Sequence, residues 1–164
     1  MSSSDSSYDQ PSAYAAEPVA VRRPDSLAGL LMVLAGAGIG VSLLLDWIAD
    51  APGTTGWEIL REGLDNLGSL FDSGLWQPLV IVFGGAILLL VGLLAFIPGK
   101  SRRALGLLAL VVAVAIVAAV LVALSDADFD LSRFAPGFYV VIAAAVLGLL
   151  GALKAAVTPP KRVS

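Results

Sequence analysis

The chain has no cysteine and no histidine in its 164 residues. Without thiols there are no disulfides, no thiolate nucleophiles and no cysteine metal ligands. Without imidazole there is no Ser-His triad and no histidine-based metal site. Charge is scarce too. Asp, Glu, Lys and Arg make up 14% of the residues, where a soluble domain carries about 25%. What remains is 58% hydrophobic, with a mean hydropathy of +0.91. A chain this short cannot bury so much apolar surface in a water-soluble core, because small domains bury the smaller fraction of their surface. A soluble globular enzyme is therefore excluded, and disorder is confined to the ends.

The scarce charge is segregated. Four uncharged apolar runs follow a polar start: Leu27–Leu45, Leu79–Ile97, Ala104–Leu124 and Phe138–Leu153. A run of 19 residues rises about 28 Å as a helix, close to the ~30 Å hydrocarbon core of a bilayer. In lipid the backbone must satisfy its own hydrogen bonds, so runs of this length are helices. Barrel strands would alternate polar and apolar residues, and these runs do not. The reading is an all-α polytopic membrane protein: an antiparallel four-helix bundle over 25–157, with spans at about 27–47, 77–97, 104–124 and 137–157. Asp25 and Ser26 suit the cap of the first helix and Pro78 the first turn of the second. Pro98-Gly99 stops the second, and Pro159-Pro160 lies beyond the fourth.

Residues 1–24 are rich in Ser, Asp and Pro and read as a disordered cytoplasmic tail. They lack the early basic region of a signal peptide, and Ser2 stands where a myristoylation signal needs Gly. Residues 158–164 form a second cytoplasmic tail. Orientation follows from Lys and Arg. Eight lie on one side: Arg22, Arg23, Lys100, Arg102, Arg103, Lys154, Lys161 and Arg162; Arg61 and Arg133 lie on the other. The positive-inside rule then puts both termini in the cytoplasm. The outer side carries nine of the 13 acidic residues and the aromatics Trp47, Trp76, Phe134, Phe138 and Tyr139, as an interfacial belt does. Arg22, Arg23 and Asp46 recur as Arg102, Arg103 and Asp126, a pattern that any two positive-inside hairpins share. Arg outnumbers Lys seven to three beside abundant Ala, Gly, Val and Leu, as GC-rich bacterial coding gives. The expected location is the bacterial inner (plasma) membrane.

The outer connection between the first two spans is the most informative polar stretch. Trp57, Leu60, Leu64, Leu67 and Phe71 are spaced 3, 4, 3, 4 and fall on one helical face. Thr55 and Glu58 fit a capping box, and Arg61 and Asp65 can pair at i, i+4. The pattern predicts an outer amphipathic helix at about 56–71 whose apolar face docks a protein partner or covers the bundle. Its polar face is acidic, whereas helices that lie on lipid are rich in Lys and Arg.

Other motifs reduce to packing or topology. Gly36-x-Gly38-x-Gly40 sits inside an apolar span with no strand before it, so it is no dinucleotide fingerprint. Gly36 and Gly40 read instead as a helix-packing seam, as do Gly84, Gly85 and Gly92 on the second span and Ala144, Gly148 and Ala152 on the fourth. Asp126, Asp128 and Asp130 resemble the start of a calcium loop, but Leu131 and Gly137 stand where Gly and Glu are needed. No metal or cofactor is expected. Lys100, Arg102 and Arg103 form a basic cluster suited to anionic headgroups and equally to setting topology. Asp46-Trp47 is the most distinctive pair at a span end, since an acidic group there opposes the helix dipole. No ionisable residue falls within the four apolar runs, which disfavours a proton-coupled pump or an intramembrane protease. No carboxylate pair has a spacing that assigns acid–base roles, so an enzyme is not expected.

The run Leu43-Leu44-Leu45-Asp46-Trp47, then Gly56-Trp57-Glu58-Ile59-Leu60 and three further spans, resembles small four-span membrane proteins of mycobacteria and other actinobacteria, themselves uncharacterised. The resemblance covers about 27–153 and implies a location and an architecture, but no activity. The function expected is a non-enzymatic accessory or scaffold subunit of a larger inner-membrane complex concerned with transport, respiration or the envelope. A small oligomeric transporter or channel is the alternative. The expected partners are the lipid bilayer and a membrane protein or a second copy of the chain, with no nucleic acid.

Overall fold

The computed structural model describes residues 26–97 and 102–157. The tails expected at 1–24 and 158–164, with Arg22, Arg23, Lys161 and Arg162, lie outside the described residues, as do Asp25, Pro98-Gly99, Lys100 and the side chain of Arg102. Among the described residues all regular structure is helical, apart from two isolated antiparallel bridges. The helices are α1 (Ser26–Ser42), α2 (Gly56–Asp65), α3 (Leu70–Ser73), α4 (Trp76–Leu94), α5 (Arg102–Asp126) and α6 (Pro136–Val157).

Three of them are long and apolar enough to cross a membrane: α4, α5 from Arg103 onward, and α6, with mean hydropathies of 2.4, 3.3 and 2.4. Only 39%, 33% and 33% of each apolar window is buried within the protein. Large apolar side chains such as Phe83, Leu90, Val111 and Val146 therefore face outward. A helix that is apolar all round belongs in lipid, and these three helices make this a membrane-embedded protein.

α1 packs against α4 and α6, and α5 packs against the same two helices. The shared core holds Met32, Ile39, Ile81, Leu88, Ile116 and Val141, each essentially inaccessible. Small residues set the helix spacing. A Cβ added at Gly36 would meet the Gly85 carbonyl oxygen at 2.5 Å, and one at Gly92 would meet the Val33 amide nitrogen at 2.8 Å. Backbones this close bring many atoms into dispersion contact, which is how helices associate in a solvent as apolar as their own side chains.

α1 ends at Ser42, five residues short of the expected limit at 47. Its 17 residues rise about 26 Å. The reason is local. Leu43, Leu44 and Leu45 turn tightly, their amides bonding to Gly40, Val41 and Ser42. The Ser42 hydroxyl donates to the Ile39 carbonyl at 2.6 Å. The orphan carbonyls of the last turn are thus satisfied without further helix.

The amphipathic segment is also shorter than its periodicity. Thr55 caps α2 with both halves of the capping box present. The helix stops at Asp65 because the Asn66 amide and side-chain Nδ2 both donate to the Glu62 carbonyl. A 3₁₀ turn over Leu67–Ser69 and the short α3 complete the connection.

Candidate functional site

The end of the bundle where α1 stops is closed by a three-part clamp. Residues 46–48 run extended between two neighbouring segments. On one side the Trp47 amide donates to the Thr54 carbonyl, and Gly56 and Trp57 donate to Leu45 and Leu43. On the other, Ala49 donates to Arg133, Ala135 to Trp47, and Gly137 to Asp46, at 2.9–3.0 Å. The Asp46 carboxylate accepts from the Gly53 amide at 3.2 Å and closes the intervening turn. Asp46 therefore works on a turn rather than against a helix dipole.

The Trp47 side chain plugs this end and is 3% exposed. Its Nε1 donates to the Ser42 carbonyl at 2.8 Å. Its ring meets Phe138 edge-on at 6.0 Å, and Phe138 stacks on Phe134 at 4.1 Å. The indole fits because its neighbours are glycines. A Cβ at Gly56 would collide with Nε1, and one at Gly137 would lie 2.7 Å from Cδ1.

Beside this plug lies a cavity of about 370 Å³. Trp47, Phe134, Phe138 and Ile81 contribute apolar wall, while Gln77, Asp126, Asp50 and Arg133 bring polar groups. Gln77 is 7% exposed, on the first turn of α4. Its Nε2 donates to the Asp126 carboxylate at 2.7 Å. The reverse orientation would set a carbonyl against a carboxylate, so Asp126 fixes the amide. The Gln77 Oε1 has no donor among the described residues. Asp126 is the last residue of α5, at the negative end of that helix dipole.

The three aspartates of the α5–α6 connection do three separate jobs. Asp126 holds Gln77. Asp128 occupies the left-handed position after the helix at φ 56°. Its amide bonds to Ser125 and the Phe129 amide bonds back to Leu124, which makes a Schellman cap. Asp130 accepts from the Ser132 hydroxyl at 2.6 Å and the Ser132 amide at 3.0 Å. These two bonds, the hydroxyl first, hold its carboxyl below the usual carboxylate range, with Arg133 adding a weaker pull. Among the described residues no three carboxylates group as a metal site.

The apolar stripe expected to dock a partner divides. Leu60 is buried, together with Ile59, Gly56 and Gly63. Trp57, Leu64, Leu67 and Phe71 remain exposed, with Phe71 stacked on Trp76 at 6.5 Å. The seating face is turned from the periodic stripe to Ile59, Leu60 and the two glycines, which let α2 come close to the bundle: a Cβ at Gly63 would sit 3.2 Å from Leu79. Arg61 and Asp65 pair at 4.0 Å in solvent.

The packing glycines divide as well. Gly36, Gly85 and Gly84 lie in close contacts, the last against Ile116 of α5. Gly148 lies against Leu88 and Ala35, and Ala144 and Ala152 are buried. Gly40 is exposed, with nothing within 4 Å of an added Cβ. The second close approach of α1 and α4 is that of Gly29 to the expected Gly92, two helical turns from Gly36 on the side away from Gly40. Of the basic cluster, the described Arg103 is exposed at the start of α5, at the other end of that helix from Asp126.

Gln77 and the cavity escaped the sequence reading. The signal was an amide at the start of one span and a carboxylate at the end of the next, two polar groups at one depth. No family model, no curated protein and no solved structure matches this chain.

Proposed function

We propose that the protein is a non-enzymatic integral membrane subunit, an accessory or scaffold component of a larger complex in a bacterial plasma membrane. In this reading α1, α4, α5 and α6 are four antiparallel spans, with both termini cytoplasmic and the Trp47 clamp on the outer side. The opposition of Gly29 to Gly92 and of Gly36 to Gly85 supports the opposed run of α1 and α4. The outward apolar residues Leu30, Leu34 and Val41 support α1 as a fourth span. The bias of basic residues supports the orientation.

One observation carries the functional reading. The α2–α3 segment is already seated on its own bundle through Ile59 and Leu60, yet it still holds Trp57, Leu64, Leu67 and Phe71 outward. A seated, capped segment with a second apolar face is built to receive another surface. Glu58, Glu62 and Asp65 on the remaining face favour a protein surface over anionic lipid. The closed core around Leu88 and Ile116 favours a scaffold over a conduit through a single chain.

Photo-cross-linking in native membranes tests this. A cross-linking residue at Trp57 or Phe71 is expected to capture one stoichiometric membrane protein, while one at the lipid-facing Phe83 captures none. Adducts with lipid alone at Trp57 and Phe71 would overturn the reading. Adducts between copies, together with solute flux in liposomes, would favour the small oligomeric transporter or channel instead.

A further inference from the structure

We propose that the cavity at the clamped end receives the headgroup of a zwitterionic amine lipid, its primary ammonium placed between Gln77 and Asp126. The proposal rests on the membrane-spanning reading above, and it names a ligand which that reading does not require.

Gln77 demands a donor. Its side chain is more than nine-tenths buried, it lines the cavity, and its carbonyl oxygen has no partner among the described residues. Buried acceptors are normally paired. Asp126 beside it accepts one bond from Gln77 and keeps further lone pairs for a second donor. The Gln77 Oε1 and the remaining lone pairs of Asp126 are adjacent acceptors, which suits a group with several N–H bonds.

Charge selects a cation for that group. Asp50 and Asp126 outnumber Arg133 among the lining residues. The C-terminal end of α5 adds its negative dipole where Asp126 stands. Arg133 exerts only a weak pull on Asp130 and makes no ion pair among the described residues, and a guanidinium there matches a phosphate. An ammonium and a phosphate on one small molecule answer both signs.

Shape and position select a lipid. A cavity of about 370 Å³ suits a headgroup rather than a whole lipid. Its wall of Trp47, Phe134, Phe138 and Ile81 suits the apolar start of the chains. It opens at the end of α4, α5 and α6, the level at which headgroups lie if these helices cross a bilayer. A choline head has no N–H and would leave Gln77 unpaired, so the amine is primary.

The test uses the full chain in maltoside detergent stripped of lipid, with binding read by native mass spectrometry. The probes are phosphatidylethanolamine, phosphatidylcholine, phosphatidylglycerol and soluble phosphoethanolamine. The ethanolamine lipid is expected to bind about tenfold or more tightly than the choline lipid, as loss of a charge-assisted hydrogen bond implies. Soluble phosphoethanolamine is expected to show the same dependence on Asp126 at lower affinity; if it equals the lipid, the free headgroup is the ligand and the lipid assignment falls. Asp126→Asn, at an exposed position, and Gln77→Met, of similar volume, should each erase the preference while helicity is retained. Equal binding of ethanolamine and choline lipids, or a preference that survives in Asp126→Asn, would overturn the proposal. A chain extracted from membranes by alkaline carbonate would instead defeat the membrane-spanning reading itself.

Discussion

The Trp47 indole donates to the carbonyl of Ser42, five residues earlier, at 2.8 Å. One side chain thereby reinforces the local turn that ends α1 and closes the bundle, with Gly56 and Gly137 making room for it. The hydrogen bond and the plug are separable by mutation. Trp47→Ala should destabilise the protein by about 3–5 kcal/mol, the range for emptying a large aromatic from a core. Trp47→Phe keeps ring packing and loses the indole donor, so its cost should be smaller. Gly137→Ala should cost as much as the phenylalanine change or more, because the Asp46 carbonyl oxygen lies 2.6 Å from the new Cβ. Thermal unfolding in one detergent measures all three. A Trp47→Ala protein as stable as the parent would remove the plug from the account.

The two glycines of the α1 motif should behave differently. Gly36→Val places a side chain against the backbone of α4 at Gly85 and should cost about 1–3 kcal/mol, as overpacking does. Gly40→Val enters open space and should leave folding intact. Monomer stability of the two variants, read by thermal unfolding in detergent, decides this. If Gly40→Val disturbs assembly between copies but not folding, that surface is an interface.

Asp128 sits in the left-handed region at a position where glycine is the usual residue. Asp128→Gly should stabilise the α5 cap by about 1 kcal/mol, since an L-residue there carries a steric cost of roughly that size. Hydrogen-exchange protection at the end of α5 should rise with it. Reduced protection would mean that the Asp128 side chain makes a contribution larger than the strain.

The helical content was legible because bilayer physics leaves little choice. An uncharged run such as Ala104–Leu124 has one way to satisfy its backbone in lipid, and α5 covers it entirely. The Thr55–Glu58 capping box was equally legible, because both hydrogen bonds are made within four residues. The ends of α1 and α2 were not. Hydropathy continues through Leu43–Leu45, yet the chain turns tightly there, and a side chain from outside the run, Trp47, shares a carbonyl of the last turn with the Leu45 amide. In the same way the 3–4 spacing of Trp57, Leu60, Leu64, Leu67 and Phe71 marks an apolar face, but small residues settle which face seats against the bundle.

Composition and distance along the chain are enough to settle the class of solvent, the helical backbone and the lack of ionisable groups in the apolar runs. What those helices enclose follows from their packing. Gln77 and Asp126 are 49 residues apart and meet at 2.7 Å only because α4 and α5 pack side by side. Trp47, Gly56 and Gly137 come from three segments, and their fit depends on backbone approach. Contacts of that kind arise from three-dimensional packing, which no local periodicity encodes.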